Sequence, residues 1–419
     1  MHAHSIQIDK TSLICVKLAN EVTWRLFNLK LIMTKNDLNS LSIPTVVFVQ
    51  RRLPHYRLPF FEALRQELEI RGCKFRLLHG IPNKNELSKN DSGELLWAEK
   101  IPTHYFFSGR ICWQPFASRI KDADLVICSH ENKLIFNLIV QYYYTSIRMA
   151  LFGHGANLQG NPHSWSETIK RFFAKRADWW FGYTAMSLPL INRFSFPPNR
   201  ITIANNSIDT QKMSELFEGI NDNEKTLIRA RLNIKTQNVG IFIGSFYDEK
   251  RIDFMLAALL AIKKATPDFE MLIVGDGEQR DLVIQFCEEH PWARYMGLCK
   301  GKAKVDLLAV SSVMINPGLV GLGVLDSFVC AVPMLTTHCG LHSPEIAYVS
   351  NGVNGVITGN TLEEYAASVT TLLHDEQALK VMQQACLASA KEYSVENMAR
   401  NFAEGIMQCL SQPIYRGSR

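Results

Sequence analysis

Three segments in the second half of the chain place glycine, cations or an acid at the end of an apolar run. GSFYDEKRID (244–253) carries Gly244, Ser245, Lys250 and Arg251. Gly244 lets a ligand approach the backbone, and the two cations stand where a helix begins. A helix N-terminus has free N–H groups and a partial positive charge, which suits a phosphate. Two cations there would hold a diphosphate as it becomes a leaving group, although EKR at a helix start is also common surface chemistry. VGDGEQR (274–280) ends a strand at Gly275 and Gly277. These glycines permit a tight turn against a nucleotide. The full GxGxxG fingerprint is absent, so a plain strand-to-helix turn stays open. INPGLVGLGVLDSFVCAVPMLTT (315–337) runs from a strand through Gly318, Gly321 and Gly323 into a helix bearing Asp326. An acid in an otherwise apolar helix costs roughly several kcal/mol without a partner. Ribose hydroxyls would serve, and the helix dipole is the alternative.

The first half adds fewer candidates. His154 stands between glycines in FGHGANLQG (152–160), at a strand end. A lone histidine is more often a packed core residue, but flanking glycines allow a ligand to come close. QRRLPHYR (50–57) is basic and aromatic, so Arg51, Arg52, His55, Tyr56 and Arg57 are candidates for acceptor recognition, or else a solvated loop. No nucleophilic Ser/His/Asp elbow and no HExxH motif occurs. The ten cysteines include no CxxC pair, which reads as reduced, buried thiols and not as a disulfide framework or zinc site.

The elements that must position these residues alternate in type. PTVVFVQ (44–50), KFRLLHG (74–80), DLVICSH (124–130), RMALFGHG (148–155) and DWWFGYT (178–184) read as strands. LPFFEALRQELEIRG (58–72), capped by Gly72, and SETIKRFFAKRA (166–177) read as helices. The pattern restarts with strand 238–246, helix 251–265, strand 269–277, helix 279–290, a helix running into a strand over 305–318, helix 322–331 and strand 333–339. Such alternation implies parallel sheets covered by helices on both faces. Two sets imply two doubly wound domains with the ligand site between them. The expected division is an extension over 1–40, a first domain over 41–205 and a second over 206–393. The hinge falls near ITIANNSIDT (201–210), and a final helix (394–410) crosses back to the first domain. A chain of 419 residues suits two cores better than one.

Charge is uneven. Residues 41–210 hold 21 Lys+Arg against 13 Asp+Glu, and residues 211–419 hold 19 against 24. A basic first half points to an anionic surface or substrate on that side, with a solvated basic face as the plain alternative. The N-terminal stretch Ser12–Met33 is broken by Lys17, Glu21, Arg25 and Lys30. It reads as neither a secretory signal nor a membrane span, and it allows an amphipathic helix.

Taken in order, GSFYDEKRID, VGDGEQR, GLVGLGVLDSF, AVPMLTT, HSPEI and NGVNGVI (351–357) resemble the C-terminal domain of glycosyltransferase family 4. RRLPHYRLPFFEALR (51–65) resembles the first strand-loop-helix of the same enzymes, so the likeness runs over roughly 44–410. It implies the GT-B fold, two Rossmann-like domains whose parallel sheets face each other across a cleft. It also implies a retaining transferase that uses a nucleotide-diphosphate sugar. Asp326 takes the second of the family's two acids, which holds ribose, and Glu345 takes the acid of its PE motif. His342 is a further candidate for the donor, and His154 matches a histidine that faces the donor sugar across the cleft. Two departures stand out. The first family acid falls on Gly318, so backbone N–H groups of 318–323 must take over sugar contacts. The family's phosphate-binding arginine is Ser245 here, so Lys250 and Arg251 must supply the charge.

The resemblance implies no cofactor and no metal. Asp122 and Asp124 look like the DxD of the other glycosyltransferase fold, but lead into a strand and read as structural. The partners implied are a nucleotide-sugar donor and a glycan or lipid-linked acceptor of surface polysaccharide assembly, without nucleic acid. A cytoplasmic chain with peripheral contact to an anionic inner membrane face is expected. The alternative is a non-catalytic sugar-nucleotide binder acting as a partner subunit. A nicotinamide oxidoreductase is disfavoured by the missing GxGxxG.

Overall fold

The computed structural model describes residues 43–87, 91–131, 133–155, 173–193 and 195–415. The expected extension over 1–40 with its amphipathic stretch, the loop beyond Gly155 and the first part of the 166–177 helix lie outside the described residues.

Two parallel sheets organise the chain. The first is formed by β1 (Thr45–Gln50), β2 (Lys74–His79), β3 (Glu99–Lys100), β6 (Leu125–Ser129), β7 (Arg148–Gly153), β8 (Trp179–Gly182) and β9 (Ile201–Ile203). β4 (His104–Phe106) and β5 (Ile111–Trp113) form a separate antiparallel hairpin. The spatial order is β3-β2-β1-β6-β7-β8-β9. The second sheet uses β10 (Val239–Ile243), β11 (Glu270–Val274), β12 (Ala293–Gly297), β13 (Val313–Ile315), β14 (Met334–Thr337) and β15 (Gly355–Thr358), in the order β12-β11-β10-β13-β14-β15. Each sheet reverses direction of winding beside its first strand, between β1 and β6 and between β10 and β13. Crevices at such points, beyond the carboxyl ends of the strands, are where ligands bind in this architecture.

The strands form because their residues are apolar on both faces. Thr45–Val49 and Leu125–Ser129 are buried throughout, as a strand between two helical layers must be. Helix Leu58–Ile70 follows β1 with proline in its first turn, and buries Phe60, Phe61, Leu64 and Leu68. Gly72, at φ 69°, takes the left-handed position just past its end.

The last helix, Val395–Ser411, completes the first lobe. Ser394 caps it by accepting from Asn397 N–H. Its face of Met398, Phe402, Ile406 and Cys409 lies in one core with Val46, Phe48, Phe60 and Phe181. The Phe402 ring stacks on Phe181 at 4.4 Å and meets Phe60 and Phe152 at 5.1 Å. Gly405 permits the close approach, since a Cβ there would lie 2.4 Å from Thr202 Oγ1 and 2.7 Å from the Phe181 ring.

Several elements carry weak sequence signals. β9 has three half-buried residues at a sheet edge, and β12 opens with one buried alanine before partly exposed residues. Neither presents an apolar run. Asp124 accepts from Thr45 N–H at 2.8 Å, and Asp122 pairs with Arg76 at 3.0 Å. The nine described cysteines are all free thiols. Among the described residues no helix is long and apolar enough to cross a membrane, and no cluster of three or more His, Cys, Asp or Glu could hold a metal ion.

Candidate active site in the interlobe cleft

The carboxyl ends of the two sheets face a common cavity of about 830 Å³. The first lobe contributes Tyr56 and Arg57 after β1, His130, Glu131 and Lys133 after β6, Gly153 to Gly155 after β7, and Tyr183 after β8. The second contributes Gly321 and Leu322 after β13, and His342 to Glu345 after β14. Asn206, from the segment joining the lobes, lies on the same wall.

On the first-lobe side His154 meets the ring of Tyr183 edge-on at 4.2 Å. Burial pushes the Tyr183 hydroxyl up to about 12, so it stays protonated at neutral pH. The basic loop divides into two parts. Arg51 pairs with Glu86 at 2.6 Å and Glu131 at 3.5 Å, and Arg52 grips Asp91 through two bonds of 2.6 and 2.9 Å. His55 sits over the Asp91 carbonyl at 3.2 Å. The five residues expected to meet an acceptor are thus placed differently. Arg51 and Arg52 neutralise acids within the first lobe and hold the loop, and only Tyr56 and Arg57 line the cavity.

On the second-lobe side the β10–helix and β13–helix turns are stapled together. Leu319 N–H donates to the Glu249 carbonyl at 2.7 Å, and Lys250 Nζ donates to the Leu319 carbonyl at 2.5 Å. Lys250 is largely removed from water and has no carboxylate partner among the described residues. Burial lowers its pKa from 10.5 to about 8. Gly318 exists for the staple. A Cβ at that position would stand 2.4 Å from the carbonyl carbon and oxygen of Lys250 and 2.5 Å from that of Glu249. No side chain fits there while the 249–250 turn keeps its place, which gives the missing first acid a steric cause.

His342 fixes the same turn from above. Val320 N–H donates to its Nδ1 at 3.1 Å, so Nε2 carries the proton and donates to the Thr337 carbonyl at 2.7 Å. Thr337 Oγ1 donates to the Pro317 carbonyl at 2.7 Å and accepts from Arg251 at 3.0 Å. Arg251 itself takes φ 55°, lies 4.1 Å over the Phe254 ring and bonds Asn360. It braces the base of the turn, and neither it nor Lys250 is among the residues that line the cavity.

The remaining donor candidates are placed as follows. Gly244 packs against Phe242 and the Lys250 side chain, with Ser245 beside it. Gly275 and Gly277 are required by packing: a Cβ on them would lie 1.8 Å from the Gly244 carbonyl and 2.6 Å from that of Phe246. Gly323 opens helix Gly323–Val329 with nothing near its Cβ position. Asp326 is buried but does not line the cavity. Its Oδ2 accepts from Lys304 Nζ at 2.9 Å, its Oδ1 has no partner, and burial raises its pKa. The partner the sequence reserved for a ribose is thus in part a lysine twenty-two residues upstream.

Glu345 joins the lobes. It is 4% exposed, accepts from Asn206 Nδ2 at 2.6 Å, and has a pKa raised by burial. Tyr348 Oη donates to the Asn206 carbonyl at 2.9 Å and its ring stacks on Tyr393 at 4.0 Å. Ser207 Oγ donates to the Tyr393 carbonyl at 2.6 Å. Both chain crossings between the lobes therefore meet at one place. Sequence reasoning did not single out Glu131, Lys133, Tyr183 or Asn206. All follow strand ends, which was the signal available.

Residues 237–375 match the protein family described as Glycosyl transferases group 1. The fold is GT-B. A glycosyltransferase from Rickettsia africae superposes with a TM-score of 0.65 at 14% identity, over 89% of this chain and 100% of that one. Anabaena Alr3699/HepE in complex with UDP superposes with a TM-score of 0.63 at 14% identity, over 87% and 99%. Likeness at this identity shows the architecture. A curated relative, the D-inositol 3-phosphate glycosyltransferase of Segniliparus rotundus, is 26% identical over 211 residues, 46% of this chain and 46% of that protein. The chain spans about half the length of that relative.

Proposed function

We propose that this GT-B chain transfers a sugar from a nucleotide-diphosphate sugar to a glycan or lipid-linked acceptor, with retention at the anomeric carbon. The observation that carries this reading is Lys250. A half-buried ammonium with no carboxylate partner among the described residues, at the winding reversal of the second sheet, is costly until an anion arrives. A leaving diphosphate is such an anion, and its negative charge grows as the glycosidic bond breaks. Lys250 and the backbone amides of 321–323, where the next helix begins, then stabilise charge that develops in the transition state. The leaving phosphate receives the acceptor proton, so neither a dedicated base nor a metal is required. His154 faces the transferred sugar from the first lobe. Contact with an anionic membrane and a place in surface polysaccharide assembly belong to the same proposal, on the charge of the first lobe.

The test is a calorimetric and turnover screen of UDP- and GDP-sugars. Lys250→Ala is expected to lower turnover by about 30–1000-fold. Unchanged turnover in that variant would discard the assignment. A second reading, a sugar-nucleotide binder without turnover, is favoured by Gly318, whose site the Lys250 backbone leaves no room to occupy with an acid. Donor binding without transfer or hydrolysis on any acceptor would support it.

A further inference from the structure

Arg57 is 8% exposed, lies in the wall of the cleft, and forms no ion pair among the described residues. Its guanidinium stands 5.5 Å from the Tyr56 ring centroid and 5.7 Å from that of Phe152. Of its five N–H donors, the bond seen runs to the Met398 thioether at 4.0 Å, a weak acceptor. The acids of the cleft are engaged elsewhere. Glu131 is shared by Arg51 and Lys133, and Glu345 is bonded to Asn206. Exposed Arg110 adds a second cation to the same wall, also without an ion pair among the described residues.

A desolvated cation that feels Glu345 only through space, that carboxylate being bonded to Asn206, is expensive, and leucine or methionine would pack between two rings at no such cost. A planar fork matches the oxygens of a phosphate or carboxylate two at a time. Arg57 follows β1, beside the β1–β6 winding reversal, and shares the cavity with Gly321 and Leu322 of the second lobe. We propose that this wall is an oxyanion subsite, and that Arg57 recognises a phosphate or carboxylate on the acceptor. The proposal rests on the sugar-transfer reading and narrows its acceptor to an anionic class. Arg110 draws that group into the mouth of the cleft, and Arg57 fixes its orientation.

The experiment is calorimetry on the full chain saturated with UDP, titrated with inorganic phosphate, with acetate and with neutral glucose. The two oxyanions are expected to bind and glucose not to. Their ranking tells a phosphate-bearing from a carboxylate-bearing acceptor. Arg57→Gln is expected to weaken oxyanion binding roughly 10–150-fold, the value of hydrogen bonds to a charged group, with UDP affinity unchanged. Arg57→Lys, which keeps the charge but not the fork, falls between them and carries the test if the glutamine variant fails to fold. Equal oxyanion affinity in both variants overturns the proposal. Loss of UDP affinity overturns it too and moves Arg57 to the donor. The same loss in Glu345→Gln would make Arg57 an interlobe latch. If UDP does not bind the wild-type chain, the sugar-transfer reading fails, while the oxyanion titration still reports on the subsite.

Discussion

The half-buried ammonium of Lys250 gives an expectation with a sign and a size. Its pKa is about 8 in the folded chain against 10.5 for the free side chain. That gap corresponds to about 3 kcal/mol disfavouring the charged form. Below pH 8 both folded and unfolded chains carry the proton and the penalty is felt in full. Between pH 8 and 10.5 the unfolded chain keeps a proton that the folded one has shed, so stability rises with pH. Between about pH 7.5 and about 9.5 the contribution is about 2 kcal/mol. Other tyrosines and cysteines titrate in the same range, so the quantity to measure is wild type minus Lys250→Met, by urea unfolding. The nucleotide gives an independent readout. A diphosphate restores a counter-charge and draws the proton back, so UDP binding at about pH 9 should take up close to one proton. Calorimetry in buffers of different ionisation enthalpy measures it. UDP affinity should fall by up to about tenfold per pH unit above pH 8 in the wild type and stay flat in Lys250→Met. A pH-independent stability difference, together with UDP binding that moves no proton, would refute the reasoning.

Other expectations concern packing and pairing. Gly318→Ala should cost about 1–3 kcal/mol in denaturant unfolding, because the new Cβ meets the Lys250 carbonyl, and Gly318→Glu should not create an ordered family acid. Asp326→Ala should cost about 3–5 kcal/mol by stranding Lys304, with much of the loss recovered in the Lys304→Met, Asp326→Leu double variant. Arg52→Ala should destabilise the first lobe by about 1–3 kcal/mol through loss of its bond pair to Asp91 while leaving UDP affinity unchanged. Phe402→Ala should cost about 3–5 kcal/mol, read as a lowered thermal midpoint.

Continuous apolar runs made the buried strands legible, with β1 and β6 found within a residue of their ends. What escaped were elements whose pattern is set by tertiary contact, such as β9, β12 and the β4–β5 hairpin. In the site, sequence located the strand ends but not the direction of side chains. RRLPHYR looks like one basic cluster. It divides because Glu86 and Asp91, more than thirty residues away, capture Arg51 and Arg52 and leave Arg57 for the cleft. Likewise Asp326 reads as a ligand residue until Lys304 is seen beside it. Gly275 and Gly277 look like nucleotide glycines, but the backbone of the neighbouring turn already claims their space. A one-dimensional pattern does not reveal which partner reaches a charge first.

The closing helix has a consequence for the order of events during synthesis. The sheet of the first lobe emerges early, yet its ring cluster around Phe48 and Phe181 is sealed by Phe402, near the far end of the chain. The second lobe holds its own consecutive strands and can mature first on the ribosome. The earlier-made half waits with an apolar groove open, and contacts of such long sequence separation close slowly. Chains interrupted before residue 395 would carry a finished second lobe beside a sticky first one, and would be captured by chaperones or proteases.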